Sequence, residues 1–115
     1  MTKVNKIIMK RIAVYGSLKV GKYNHPIIGD STYLGTVKLK GTLYRVSSYP
    51  ALVEGGDREH VAEVYEVSDD VYQTVRSMEL GAGYKEVEVD GNIVYYAGDS
   101  LAERCETSFE EIDSY

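Results

Sequence analysis

The chain of 115 residues has no tryptophan, one phenylalanine, one cysteine, two prolines and two histidines. Each scarcity excludes something. A lone Cys105 cannot close an internal disulfide, and no Cys/His spacing of the zinc-holding kind is present, so neither staple is expected. His25 and His60 lie far apart in sequence and are expected to be structural or exposed, with no metal site. No apolar run reaches the roughly 20 residues that span a bilayer. The basic start lacks an apolar signal core followed by a small-residue cleavage site. A reducing, cytoplasmic setting without a membrane partner is expected. Positive charge is also short. The net charge is −5, no basic stripe is available for phosphates, and no nucleic-acid partner is expected.

What the chain does have is tyrosine, at eleven of its twelve aromatic positions. A phenol brings an apolar ring and a hydroxyl that needs a partner. Such residues suit a small core whose edge opens onto a polar pocket, or equally a tyrosine-rich barrel surface. The length fits one domain. A basic leader (1–10, with Lys3, Lys6 and Lys10), a single domain (11–98) and an acidic, solvated, partly helical C-terminal tail (99–115) are expected. The oligomeric state is expected to be monomer or weak dimer.

Arg11 to Tyr15 reads as a short first strand. Asn24 and Pro26 open a brief helical turn. Tyr33 to Val46 is strand-like, with Gly35 and Gly41 marking bulges or bends. Ser47 to Asp57, with Pro50 and Gly55-Gly56, reads as a loop. His60 to Val67 alternates as a strand does. Ser68-Asp69-Asp70 starts a helix that carries Val71, Tyr72, Val75 and Met78 on one face and stops near Leu80-Gly81. Asp90-Gly91-Asn92 joins Tyr84–Val89 to Ile93–Ala97 as a hairpin. The sum is α+β: a small, bent, mostly antiparallel β-barrel with one main amphipathic helix.

The stretch Gly16 to Tyr23 has the glycine spacing of a P-loop, with Gly21-Lys22 at its end. Tyr23 stands where a magnesium-binding hydroxyl belongs, and Asn24-His25-Pro26 allows only a turn where a long helix must follow. Nucleotide chemistry is therefore not expected.

Two stretches taken together resemble the γ-glutamylcyclotransferase-like superfamily. One is a strand ending in Tyr15-Gly16-Ser17-Leu18. The other is an amphipathic helix ending in Met78-Glu79, with Tyr84 opening the next strand. Tyr33-Leu34-Gly35, Gly41-Thr42-Leu43-Tyr44, Tyr49 to Val53 and Val61 to Val67 also resemble that family, over about Arg11 to Ala97. The chain departs from the family pattern at Arg76, where an Asp is common, and at Glu86, where an Arg is common.

The resemblance implies a cofactor-independent reaction. The α-amine of a small γ-glutamyl amine or amino acid attacks its own γ-carbonyl and releases 5-oxoproline. The nucleophile belongs to the substrate, so the protein must supply a base, oxyanion donors and a cradle. Glu79 is the implied base; a free Glu titrates near ~4.3 and must be raised by burial to take an amine proton. Tyr15, Gly16, Ser17 and Leu18 are the implied cradle, Gly16 by its backbone freedom, and Tyr84 is implied to bond Glu79 or substrate. Each also has a plain structural reading: Glu79 as a charged helix end, the loop as a tight turn, Tyr84 as a core residue. The alternative function is a non-catalytic small-molecule or partner-binding module on the same fold.

Overall fold

The computed structural model describes residues 9–115. Most of the expected basic leader lies outside the described residues; Met9 and Lys10 already belong to the first strand. In chain order the elements are β1 (Met9–Val14), a 3-10 turn (His25–Ile28), β2 (Thr32–Lys40), β3 (Thr42–Val46), β4 (Tyr49–Val53), β5 (Glu59–Ser68), α1 (Asp69–Gly81), β6 (Tyr84–Val89), β7 (Asn92–Ala97), α2 (Asp99–Ser108) and β8 (Glu110–Glu111).

The strands form a five-stranded sheet, β2-β5-β1-β7-β6, and a three-stranded sheet, β4-β3-β8. The central pair β1–β7 is parallel and the other pairs are antiparallel. The fold is thus α+β with a mostly antiparallel framework, arranged as two hydrogen-bonded sheets. Alternation along the strands divides the core. Ile12, Val14, Tyr65, Val67 and Tyr95 face the side covered by Tyr72 and Val75 of α1. Ala13, Ala62, Val64, Val94 and Tyr96 face Leu43 and Leu52 of the smaller sheet. With both faces buried, register is strongly specified, because a one-residue slip would exchange the two sets.

Local chemistry sets the element ends. Ser68 Oγ accepts the Val71 N–H at 3.3 Å and caps α1, with Asp69 and Asp70 in its first turn. Asp90 (φ 51°) and Gly91 (φ 80°) make the left-handed two-residue turn of the β6–β7 hairpin. Gly35 marks a register shift between β2 and β5. The chain leaves the large sheet for the small one at Gly41, where an added Cβ would lie 2.6 Å from the Val53 carbonyl oxygen.

Two expectations are corrected. The segment read as a loop from Ser47 to Asp57 contains β4, with Pro50 inside it. Among the described residues β4 pairs only with β3, and an edge strand tolerates a residue that has no N–H to give. The segment expected as a solvated acidic tail packs as α2 and β8. Leu101 and Cys105 are buried there, with Phe109 against the same cluster and Ile112 against the core between the sheets. Leu101 and Cys105 are four residues apart on one face of α2, and Phe109 follows just past the helix end.

Candidate active site

β1 ends between β5 and β7 and continues as Tyr15-Gly16-Ser17-Leu18. A cavity of about 210 Å³ opens at this point. The loop forms one side. Met78, Glu79 and Ala82 at the end of α1 form another, and Tyr84, Tyr95, Tyr49 and Pro50 complete the wall. Glu79, Tyr15, Gly16, Ser17, Leu18 and Tyr84 therefore all line the same cavity.

Glu79 sits in the last turn of α1 and is partly buried. Burial pushes its carboxyl up to about 7. Among the described residues no donor or cation bonds its oxygens, so nothing offsets the lost hydration.

The loop is tied down by its carbonyls. Lys19 N–H donates to Gly16 O at 3.0 Å and Asn24 N–H to Ser17 O at 2.8 Å. His25 Nδ1 lies 2.9 Å from Leu18 O, and since a carbonyl only accepts, that nitrogen carries the proton. Val20 N–H donates to Glu63 Oε1 at 2.9 Å. The N–H groups of Gly16, Ser17 and Leu18 meet no acceptor among the described residues. A loop whose carbonyls are occupied and whose amides are open favours an anion. Asn24, expected as a helix cap, stands at the cap position, but its Nδ2 donates to Ser17 Oγ at 2.8 Å instead.

Two expectations at this site change. Gly16 does not adopt a left-handed conformation; its smallness is what matters, because a Cβ there would stand 3.0 Å from Pro50 Cγ. Tyr84 does not bond Glu79: its hydroxyl donates to Pro50 O at 2.6 Å. The Tyr15 hydroxyl is also spent on the framework, donating to Tyr95 O at 2.6 Å and accepting the Leu52 N–H at 3.1 Å. Burial pushes both phenols up, so they stay neutral walls of the cavity.

Sequence reasoning missed Tyr49, Pro50, Met78, Ala82 and Tyr95 as lining residues. Met78 and Ala82 were legible as Glu79's neighbours at the end of the helix; Tyr49, Pro50 and Tyr95 reach the cavity only through sheet pairing. It also left Arg76 and Glu86 as unrelated departures. They are partners: Arg76 Nε lies 3.7 Å from Glu86 Oε1. Among the described residues no cluster of three or more His, Cys, Asp or Glu is placed to hold a metal, and no helix is long and apolar enough to cross a membrane.

The fold and cavity define a small α+β protein in which a desolvated carboxyl and a strand-end loop line one cavity. Residues 12–107 match the model of the family described as gamma-glutamyl cyclotransferase, AIG2-like, and the chain belongs to that family. A Pyrococcus horikoshii protein named "Putative gamma-glutamylcyclotransferase" is 37% identical over 79 residues, which cover 69% of this chain and 67% of that one. A Vibrio cholerae protein of the same name is 40% identical over 60 residues, 50% of this chain and 51% of its own length. The crystal structure of the Pyrococcus protein superposes with a TM-score of 0.74 at 28% identity, covering 90% of this chain and 86% of that one. A mouse AIG2-like protein shares the fold with a TM-score of 0.73 at 21% identity, over 93% of this chain and 88% of its own.

Proposed function

We propose that the protein is an intramolecular cyclotransferase that releases 5-oxoproline from a small γ-glutamyl amine or amino acid, with Glu79 as its base. The observation that carries this reading is an unpaired carboxyl, raised to about 7 by burial, in a cavity also lined by Gly16, Ser17 and Leu18, whose backbone amides meet no acceptor among the described residues. An α-amine titrates near ~8. A carboxylate near 7 is a far better match for its proton than an ordinary Glu.

The step balances without a cofactor. Glu79 carboxylate takes one proton from the substrate ammonium. The freed nitrogen attacks the γ-carbonyl carbon, and the carbonyl oxygen becomes an oxyanion that the Gly16–Leu18 amides hold. The carbon–nitrogen bond to the leaving amine breaks as Glu79 returns the proton to that nitrogen. The lactam nitrogen sheds its second proton to Glu79, and from there it passes to the released amine, which departs as an ammonium. Glu79 ends as it began. The cavity holds the substrate folded on itself, which converts the attack into a proximity-driven event.

Incubation of the purified protein with a panel of γ-glutamyl amino acids and γ-glutamyl amines, read by mass spectrometry, tests the reading. At least one member should yield 5-oxoproline and the matching amine in equal amounts. Thermal stabilisation by a panel member without any product would instead make the protein a binding module.

A further inference from the structure

Glu86 is outside the cavity lining, yet two hydroxyl donors and one cation converge on its carboxylate. Tyr72 Oη of α1 stands 2.8 Å from Oε1 and 2.9 Å from Oε2. Tyr95 Oη of β7 is 2.8 Å from Oε1, and Arg76 Nε is 3.7 Å from the same oxygen. Glu86 is an exposed residue of β6, whereas Tyr72 and Tyr95 are buried. This is more than a surface ion pair. The hydroxyls of two buried tyrosines donate to this one carboxylate, and bonds to a charged oxygen are the strong kind. Burial, and then the bond to Glu86, pushes both phenols up, so both remain donors at neutral pH.

The carboxylate also sits at a junction. Glu86 faces Tyr95 across the β6–β7 ladder. Tyr95 lines the cavity, and its carbonyl accepts the Tyr15 hydroxyl. On the other side, positions 72, 76 and 79 are four and three residues apart and follow one face of α1. Two turns, roughly 10 Å of helix, separate Tyr72 from Glu79. With no partner of its own among the described residues, the Glu79 carboxyl takes its place from where α1 lies.

Resting on the reading of Glu79 as base, we propose that Glu86 is a positioning residue. By gripping Tyr72 and Arg76 of α1 and Tyr95 of β7 with one carboxylate, it sets the lie of α1 against the sheet and the reach of Glu79 into the cavity.

The test titrates the Glu79 carboxyl by carbon-13 NMR, which needs no turnover, in wild type, Glu86→Gln and Glu86→Leu. The titratable groups that share the cavity with Glu79 are the phenols of Tyr15, Tyr49, Tyr84 and Tyr95; burial pushes Tyr15, Tyr84 and Tyr95 up, away from this range, so the midpoint reports burial of the carboxyl. Glu86→Gln keeps an acceptor oxygen and should hold the midpoint within about half a unit of wild type. Glu86→Leu keeps bulk but no acceptor. Its midpoint should fall by about a unit or more, with kcat on an active γ-glutamyl substrate lowered about 10- to 100-fold and KM little changed. An unchanged midpoint in a folded Glu86→Leu protein overturns the proposal, and so does an equal shift in Glu86→Gln, which would make the effect one of charge alone. If Glu86→Leu does not fold, Tyr72→Phe replaces it: a lower midpoint supports the grip and an unchanged one refutes it. Absence of turnover in wild type would refute the catalytic reading of Glu79 and leave the titration to judge the positioning claim.

Discussion

A single desolvated carboxyl has an energetic signature that can be read apart from catalysis. Glu79 is raised from 4.5 to about 7 by burial. Between those values the folded chain keeps a proton that the unfolded chain has lost. Stability therefore falls as pH rises through this window and stays reduced above it. Glu79→Gln removes the penalty. Denaturant unfolding should find Glu79→Gln more stable than wild type by about 1–3 kcal/mol at pH 8 and nearly equal to it at about pH 4. The same difference at both pH values would mean that Glu79 is not desolvated. At this scale the sequence was informative. The tetrapeptide Tyr15 to Leu18 and Glu79 were legible because their resemblance is local, and all of them line the cavity. Their bonding was not legible. That Tyr84 donates to Pro50 and not to Glu79, or that Tyr15 serves Tyr95 and Leu52, depends on which strands meet.

Among elements, period and punctuation carried most of the information. The cap at Ser68, the helix end near Gly81 and the Asp90-Gly91 turn were legible because each depends on a few adjacent residues. β4 was hidden because Pro50 and the nearby glycines signal a loop, and only its place at a sheet edge makes the proline harmless. The packing of α2 against the body was hidden beneath Glu103, Arg104 and Glu106, although Leu101 and Cys105 are 5% and 0% exposed. If the segment belongs to the body, Leu101→Ala should cost about 2–4 kcal/mol in the cooperative unfolding of the whole domain. A cost below about half a kcal/mol would return residues 99–115 to the status of a tail. Arg76 and Glu86 teach the complementary lesson. Read singly they were two departures from a pattern, but α1 and β6 bring them together as one ion pair.

Over the whole molecule, the cavity is a product of convergence. The end of β1, the end of α1, β4, β6 and β7 each contribute lining residues. The Tyr15 hydroxyl is the main tie among them, joining β1 to β7 and to β4. Tyr15→Phe would leave the Leu52 N–H and the Tyr95 carbonyl buried without that partner, at a cost of about 1–3 kcal/mol. Thermal unfolding should show this loss, while product formation below the melting transition persists. Loss of activity with unchanged stability would give the hydroxyl a chemical role instead. No local pattern reveals such a tie, because it needs the two sheets in place first.

The central claim is that the Glu79 carboxylate moves the proton in a cyclisation. Its most direct test is the rate of 5-oxoproline formation at pH 8 by wild type and Glu79→Gln on the same γ-glutamyl substrate, with circular dichroism spectra shown to coincide. The account predicts a loss of about 10²–10⁴-fold, the usual worth of a general acid–base group. A Glu79→Gln rate within a few fold of wild type would contradict it.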